Sequence, residues 1–266
     1  MHPILFRIGH FPIHVYSLTF ATSIMMCVVL GLRRARVEKI DEQRFLQALS
    51  IAIVAIFFTS KALDILVNWR WYGGRTLRLL NLGYGHVFYG GYLGSVIFPA
   101  IFLRWKKEPI LPVIDICATY MPLGLALHRA IGCFCAGCCY GVPTTLPWGV
   151  VFPPGSPAFA QFGGVPVHPT EIYEAMLGLA MFPALLAWRR LPHRQPGELF
   201  ALQNVLYGAG RFAIEFVRGD ADRGQYGGLS TSQWVSLGMF AVAGALAAHA
   251  WRGRKMARAA VPYSAR

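Results

Sequence analysis

Apolar residues run along this chain in stretches of 18 to 23, at 14–32, 46–68, 86–103, 110–128, 169–188, 197–217 and 232–251, divided by short polar or basic segments. Crossing the hydrocarbon core of a bilayer takes roughly 20 residues of helix. The pattern predicts an all-α integral membrane protein of about seven transmembrane helices, with residues 1–266 forming a single polytopic membrane domain. Several stretches contain Gly or Pro, which transmembrane helices tolerate when neighbours satisfy the freed backbone groups.

The basic residues between the stretches predict the orientation. One set of connections carries Arg33, Arg34, Arg36, Lys39, Arg44, Arg104, Lys106, Lys107, Arg189, Arg190, Arg194 and, in the tail, Arg252, Arg254, Lys255, Arg258 and Arg266. The other set carries Arg7, Arg70, Arg75, Arg78, Arg218 and Arg223, which makes the count 16 against 6. The richer set belongs in the cytoplasm. That puts the N-terminus outside and the C-terminus in the cytoplasm, which requires an odd number of spans. No basic segment and small-residue cleavage site frame the first stretch as a signal peptide, so it is expected to insert and stay.

Composition agrees. Hydrophobic residues make up 55% of the 266 and charged residues 14%, against about 25% charged in soluble domains. Of the 7 Trp, Trp69, Trp71, Trp105, Trp188 and Trp251 stand near the ends of apolar runs, as in an interfacial aromatic belt. The net charge of +13 is spread in short clusters between spans. It therefore indicates anionic membrane lipids as partners and no nucleic acid.

Ionisable groups inside the spans carry the candidate chemistry. In the sixth stretch, Tyr207, Arg211, Glu215 and Arg218 stand at i, i+4, i+8 and i+11 and share one helix face. An arginine at the centre of a span costs about 2.5–3.5 kcal/mol even on the cheaper insertion scale. Arg211 therefore needs a partner, and Glu215 is one turn away. Two readings stay open: a structural ion pair, or a guanidinium facing an anionic ligand, with a planar fork that matches phosphate. In and after the fourth stretch come Asp115, His128, Arg129 and then Gly132, Cys133, Cys135, Gly137, Cys138, Cys139 and Gly141. If the fourth and sixth spans are neighbours, Arg129, Arg211 and Arg218 converge and can clamp one phosphodiester. In the third stretch His86 and Tyr89 precede Gly90 and Gly91, and His86 is a candidate general base. The fifth opens with His168-Pro169-Thr170-Glu171, where Thr170 or the turn before it is expected to cap the helix and Glu171 and Glu174 to suit its dipole, with a ligand role as the second reading. Lys61 and Asp64 read as an internal ion pair.

Four of the six cysteines lie between Cys133 and Cys139. Disulfides, structural thiols, a catalytic thiol and a metal site are all compatible with the spacing, although adjacent Cys138 and Cys139 chelate one ion poorly and no second cluster accompanies them. We expect neither a metal nor a cofactor. The segment 141–167 contains no charged residue and is expected to dip into the interface, cover a site or pack on helix ends.

His14-Val15-Tyr16, Phe88-Tyr89-Gly90-Gly91, Asp115, the Gly132, Gly137 and Gly141 frame, His168 to Glu174 and the Tyr207-Arg211-Glu215-Arg218 motif together resemble the prolipoprotein diacylglyceryl transferase family over nearly the whole chain. The resemblance implies seven spans in a bacterial cytoplasmic (inner) membrane, with the site facing the outer leaflet. It implies transfer of a diacylglyceryl group from phosphatidylglycerol to the lipobox cysteine of a prolipoprotein, with Arg211, Arg129, His86, Tyr89 and Tyr207 catalytic. Tyr16, Asp115, Cys133, Gly137, Cys138, Gly141, Glu215 and Arg218 would bind substrate. The chain departs from the family pattern at Tyr89, where a histidine is usual, and at Cys133 and Cys138, where Asn and Glu are usual. Counting back strictly from Gly132, the family's arginine falls on Ala130, and it falls on Arg129 only with one extra residue. A paralogue with another acceptor, a non-catalytic anionic-lipid-binding protein and a thiol-redox protein are the alternative readings.

Overall fold

The computed structural model describes residues 4–67, 88–192, 194–219 and 225–259. An antiparallel hairpin, β1 (Ile4–Ile8) and β2 (Phe11–His14), leads into α1 (Val15–Val37). Then follow α2 (Glu42–Val67), α3 (Phe88–Trp105), α4 (Ile110–Leu127) and, continuous with α4, a π-turn over His128–Cys133 closed by Phe134–Ala136. Beyond a long connection with the short helix α5 (Pro157–Phe162) lie α6 (Thr170–Arg189) and α7 (Glu198–Glu215). The short strands β3 (Gln225–Tyr226) and β4 (Leu229–Ser230) precede α8 (Thr231–Ala259).

A helix stands at each of the seven apolar stretches. Among the described residues, five are long and apolar enough to cross a membrane: Val15–Val37, Glu42–Leu66, Ile110–Ala136, Thr170–Arg189 and Thr231–Lys255. Large apolar side chains such as Phe57, Phe58 and Met25 are turned outward on these helices. Such a face is costly in water and natural in lipid.

The chain divides into two compact units, residues 32–113 and residues 1–31 with 114–266. In the first, α3 lies directly on α2. A Cβ added at Gly90 would stand 2.3 Å from the Thr59 carbonyl oxygen, and one at Gly91 would stand 3.2 Å from Ile56. The glycine pair thus serves helix contact, as small residues do between membrane helices. Lys61 and Asp64 are both buried in α2.

The second unit holds α4 with its π-turn, α6, α7 and α8. At one end, Asp115 of α4 is fully buried. Its Oδ2 accepts from Arg194 Nη1 at 2.7 Å and Gly197 N at 2.9 Å, and its Oδ1 accepts from Phe200 N at 2.9 Å. Asp115 therefore supplies the cap that the first turn of α7 lacks from its own side chains.

The uncharged 141–167 segment is folded on itself. Tyr140, Phe152, Ala158 and Val167 form a buried cluster joined by Phe134, Val150 and Phe162. Gly141 N donates to His168 O at 2.8 Å, Val142 N to Val217 O at 2.9 Å, and Gly219 N to Tyr140 O at 3.1 Å. These bonds tie the end of the π-turn segment to the start of α6 and to the chain just past α7.

Candidate active site

Glu174, one turn into α6, is the centre of the site. It is fully buried, and three guanidiniums reach its carboxylate. Arg129 Nε lies 2.7 Å from Oε2, Arg218 Nη1 lies 2.6 Å from Oε1, and Arg211 Nε lies 3.7 Å from Oε1. Arg211 also pairs through Nη1 with Glu215 Oε2 at 2.5 Å and donates from Nη2 to Ser232 Oγ at 3.0 Å. A buried carboxylate without such partners would cost several kcal/mol. The expectation that Glu174 serves the dipole of α6 gives way to this contact set. Of the two expected cap positions, the structure has the turn before Thr170: the cap residue is Pro169, with no side-chain bond, and the Thr170 hydroxyl donates to the Cys139 carbonyl. Glu171 Oε1 accepts from Cys139 N at 3.2 Å.

Arg129 reaches this centre because of the π-turn. A π-turn houses one more residue than an α-turn while the helix continues beyond it. The strict count from Gly132 lands on Ala130, yet Arg129 is the residue that meets Glu174. The extra residue is taken up between His128 and Cys133.

Arg218 arrives differently from the sequence expectation. Helix α7 ends at Glu215, so Arg218 lies beyond the helix face shared by Tyr207, Arg211 and Glu215. Its backbone bridges to Gly141, and the turn carries its guanidinium to Glu174. A Cβ at Gly141 would lie 2.5 Å from the Val217 oxygen, so a larger residue there would push this segment away. Gly137 has φ +59°, and its Cβ would lie 2.7 Å from Phe152. Both glycines shape the backbone, which is how they bear on the site.

The cysteines sit against Arg129. Its Nη1 donates to Cys139 Sγ at 3.0 Å and to Cys133 Sγ at 3.6 Å. Cys138 Sγ donates to Cys139 Sγ at 3.7 Å. Hydrogen bonds from the Cys133 and Cys138 thiols hold Cys139 well below the ordinary thiol value; burial opposes this, and Arg129 and Arg218 add to the lowering. Its own contacts with Cys133 and then Cys139 push Cys138 up, and burial adds to that. All six cysteines are free thiols. The sulfurs of Cys133, Cys138 and Cys139 lie within 4.8 Å of one another, close enough for one soft ion. A guanidinium already occupies the charge-complementary position beside Cys139, so the set suits a thiolate paired with arginine better than a resident cation.

Tyr207 packs against the buried cluster of Met181, Leu185 and Leu199 and is within electrostatic reach of Glu174, Arg129, Arg211 and Arg218. Tyr16, 43% exposed at the start of α1, sets its ring against His128 with centroids 4.6 Å apart. Asp115 belongs elsewhere: 14 residues before Arg129 on the same helix run, it is about 21 Å away at 1.5 Å per residue. Its carboxylate caps α7. His86 and the Tyr89 side chain lie outside the described residues.

Glu174 and Glu215 pair with the three arginines, Glu171 lies within electrostatic reach of Arg218, and the Cys139 sulfur stands against the outer edge of Arg129. Arg129, with 20% of its side chain exposed against 8% for Arg211 and 3% for Arg218, is the approachable edge of the cluster. The arrangement can accept one more anion there. From sequence alone a ligand role for Glu174 ranks second to capping, because an acid near a helix start has an ordinary explanation. The signal that could have found it was a second acid, three residues after Glu171, too deep to be needed at the cap.

Comparison with known proteins agrees in family. The family profile described as prolipoprotein diacylglyceryl transferase matches residues 3–249. A phosphatidylglycerol–prolipoprotein diacylglyceryl transferase of Clostridium tetani is 35% identical over 239 residues, covering 89% of this chain and 93% of the relative. One of Geobacter sulfurreducens is 34% identical, covering 90% and 91%. One of Clostridium perfringens, designated number 2, is 31% identical, covering 89% and 91%. With the whole fold spanned by both the profile and these relatives, the chain belongs to the prolipoprotein diacylglyceryl transferase family.

Proposed function

We propose that this protein transfers the diacylglyceryl group of phosphatidylglycerol to the cysteine thiol of a prolipoprotein lipobox segment, the first step of lipoprotein modification. The observation that carries this is the convergence of Arg129, Arg211 and Arg218 on Glu174. The reaction displaces a phosphate from a glyceryl carbon by a thiolate. The C–O bond breaks, glycerol phosphate departs with the electron pair, and an S–C bond forms. Charge grows on the leaving phosphate, so pre-set guanidiniums stabilise the transition state more than the ground state. Glu174 and Glu215 hold those guanidiniums in place, and Arg129 exchanges Cys139 for a phosphate oxygen. Tyr207 lines the cluster.

The same reading has seven spans, supported by the seven apolar stretches, the N-terminus outside, supported by the distribution of basic residues, and the site at the outer leaflet of the bacterial inner membrane, as the family resemblance implies. The departures at Cys133 and Cys138 favour examining the acceptor directly. Purified protein in vesicles of phosphatidylglycerol should increase the mass of a lipobox peptide by one diacylglyceryl group and release glycerol phosphate in equal amount. Headgroup release without peptide modification would point to another acceptor. Bound lipid with neither product would leave a lipid-binding protein. Function abolished by replacing Cys138 and Cys139, with no lipid chemistry, would indicate a thiol-redox protein.

A further inference from the structure

We propose that His128 is the general base that takes the proton from the acceptor thiol; the inference rests on the transfer reaction proposed above. Tyr89 stands where a histidine is usual, and His86, the candidate base beside it in sequence, lies outside the described residues, so the proton's destination is sought here among the described groups beside Arg129. His128 opens the π-turn and is followed directly by Arg129. Its Nδ1 lies 3.3 Å from Thr19 Oγ1. The single Thr19 hydroxyl proton is already committed, since Oγ1 donates to Val15 O at 2.8 Å and Tyr16 O at 3.1 Å. The only proton left for the Thr19–His128 contact is the one on the ring, so Nδ1 carries the hydrogen and Thr19 accepts it. Nε2 is then the unprotonated nitrogen, with a lone pair available.

The surroundings hold that tautomer and keep the ring reachable. Gly132 lets α1 come close, because a Cβ there would stand 2.3 Å from Thr19 Oγ1 and 2.7 Å from His128 Nδ1. Tyr16 and Phe20 meet the ring edge-on, with centroids 4.6 and 5.3 Å away, and both are themselves partly exposed. His128 is half-buried. The titratable and charged groups facing it are Tyr16 from α1, Arg129 from its own turn and Cys139 from the segment beyond. Cys139 is a poor competitor for the role, because a thiolate held this firmly by arginine and thiol hydrogen bonds is a weak base.

In the step, Nε2 takes the thiol proton as the sulfur attacks the glyceryl carbon. The C–O bond opens towards the Arg129 side, and glycerol phosphate leaves as a dianion. With a second pKa near 6, that dianion takes the proton from the imidazolium and returns His128 to its starting form. Adjacent residues of one turn thus serve the two halves of the displacement, His128 the nucleophile and Arg129 the leaving group.

The test is transfer to a lipobox peptide by H128N, whose amide nitrogen can still donate to Thr19 but which has no Nε2. At pH 7 we expect a loss of about 100-fold or more in kcat with KM for phosphatidylglycerol unchanged. The loss should shrink as pH rises towards the thiol's own pKa of about 8.5, and a selenocysteine peptide, already ionised at neutral pH, should restore most of the rate. T19V, which keeps the imidazole but removes its acceptor, should lose less in the same direction. H128N near the wild-type rate at pH 7 overturns the assignment. So does an H128N loss that is equal at every pH and for the selenol, which marks a structural role. A T19V protein with the wild-type rate and profile contradicts it even if H128N fails to fold. Wild-type protein that modifies no lipobox peptide overturns the functional reading itself, and His128's role with it.

Discussion

Arg218 Nη1 lies 2.6 Å from Glu174 Oε1 although 44 residues separate them. The contact joins the segment past α7 to the second turn of α6 and closes the arginine cluster from the side opposite in sequence to Arg129. Glu174→Gln keeps the shape but removes the charge that three guanidiniums share. We expect transfer activity to fall at least 10-fold, with weakened stability. Glu174→Ala, which strands buried cations, should cost on the order of 3–5 kcal/mol. Thermal unfolding in detergent, read beside turnover, checks both.

Asp115 gives the opposite signature. Its carboxylate accepts from Arg194, Gly197 and Phe200 and touches no part of the arginine cluster. Asp115→Asn should lower stability by about 1–3 kcal/mol while KM for phosphatidylglycerol in the folded fraction stays as it was. A changed KM with unchanged melting would return Asp115 to the binding site.

Cys139 should be the reactive thiol of its cluster at low pH. A lowered thiol pKa keeps the thiolate present below the usual 8.5, and the thiolate is lost only as pH falls through the lowered value; for Cys138, raised by its contacts, the sign is reversed. Brief treatment with iodoacetamide at pH 6, followed by peptide mass analysis, should mark Cys139 ahead of Cys138. Equal labelling, or labelling that begins only above pH 8, would contradict this charge assignment.

Gly137 tests the backbone that carries these thiols. Its φ of +59° and the Phe152 ring 2.7 Å from a built Cβ disfavour any side chain. Gly137→Ala should lower both stability and activity, by about 1 kcal/mol from the backbone alone and more from displaced Phe152. Gly163 has φ +64° but nothing within 4 Å of a built Cβ, so Gly163→Ala should cost only the backbone part. A loss for Gly137→Ala no larger than about 1 kcal/mol would show that the Phe152 contact is unimportant.

Much of this fold was legible because a bilayer imposes long apolar runs, and each of the seven runs is helical. The Arg211–Glu215 pair was legible from one-turn spacing alone. Arg218 was read onto the helix face, but α7 stops at Glu215 and a turn pinned by Gly141 delivers the side chain instead. Arg129 was ambiguous by one residue until the π-turn absorbed the extra position. Glu174 faces arginines and Asp115 caps α7, and spacing alone does not tell one kind of buried acid from the other. Which helix ends meet is settled by packing, and a single chain's periodicity carries no record of it.

The central claim is that the arginine cluster neutralises the leaving phosphate. The most direct measurement is glycerol phosphate release from phosphatidylglycerol vesicles with a lipobox peptide, comparing wild type, Arg211→Lys and Arg211→Ala. Arg211→Ala should reduce release by about 100-fold or more. Arg211→Lys should recover only part of it, because an ammonium cannot reach Glu215, Ser232 and a phosphate oxygen as a planar fork does. Turnover by Arg211→Ala equal to that of wild type would contradict the account.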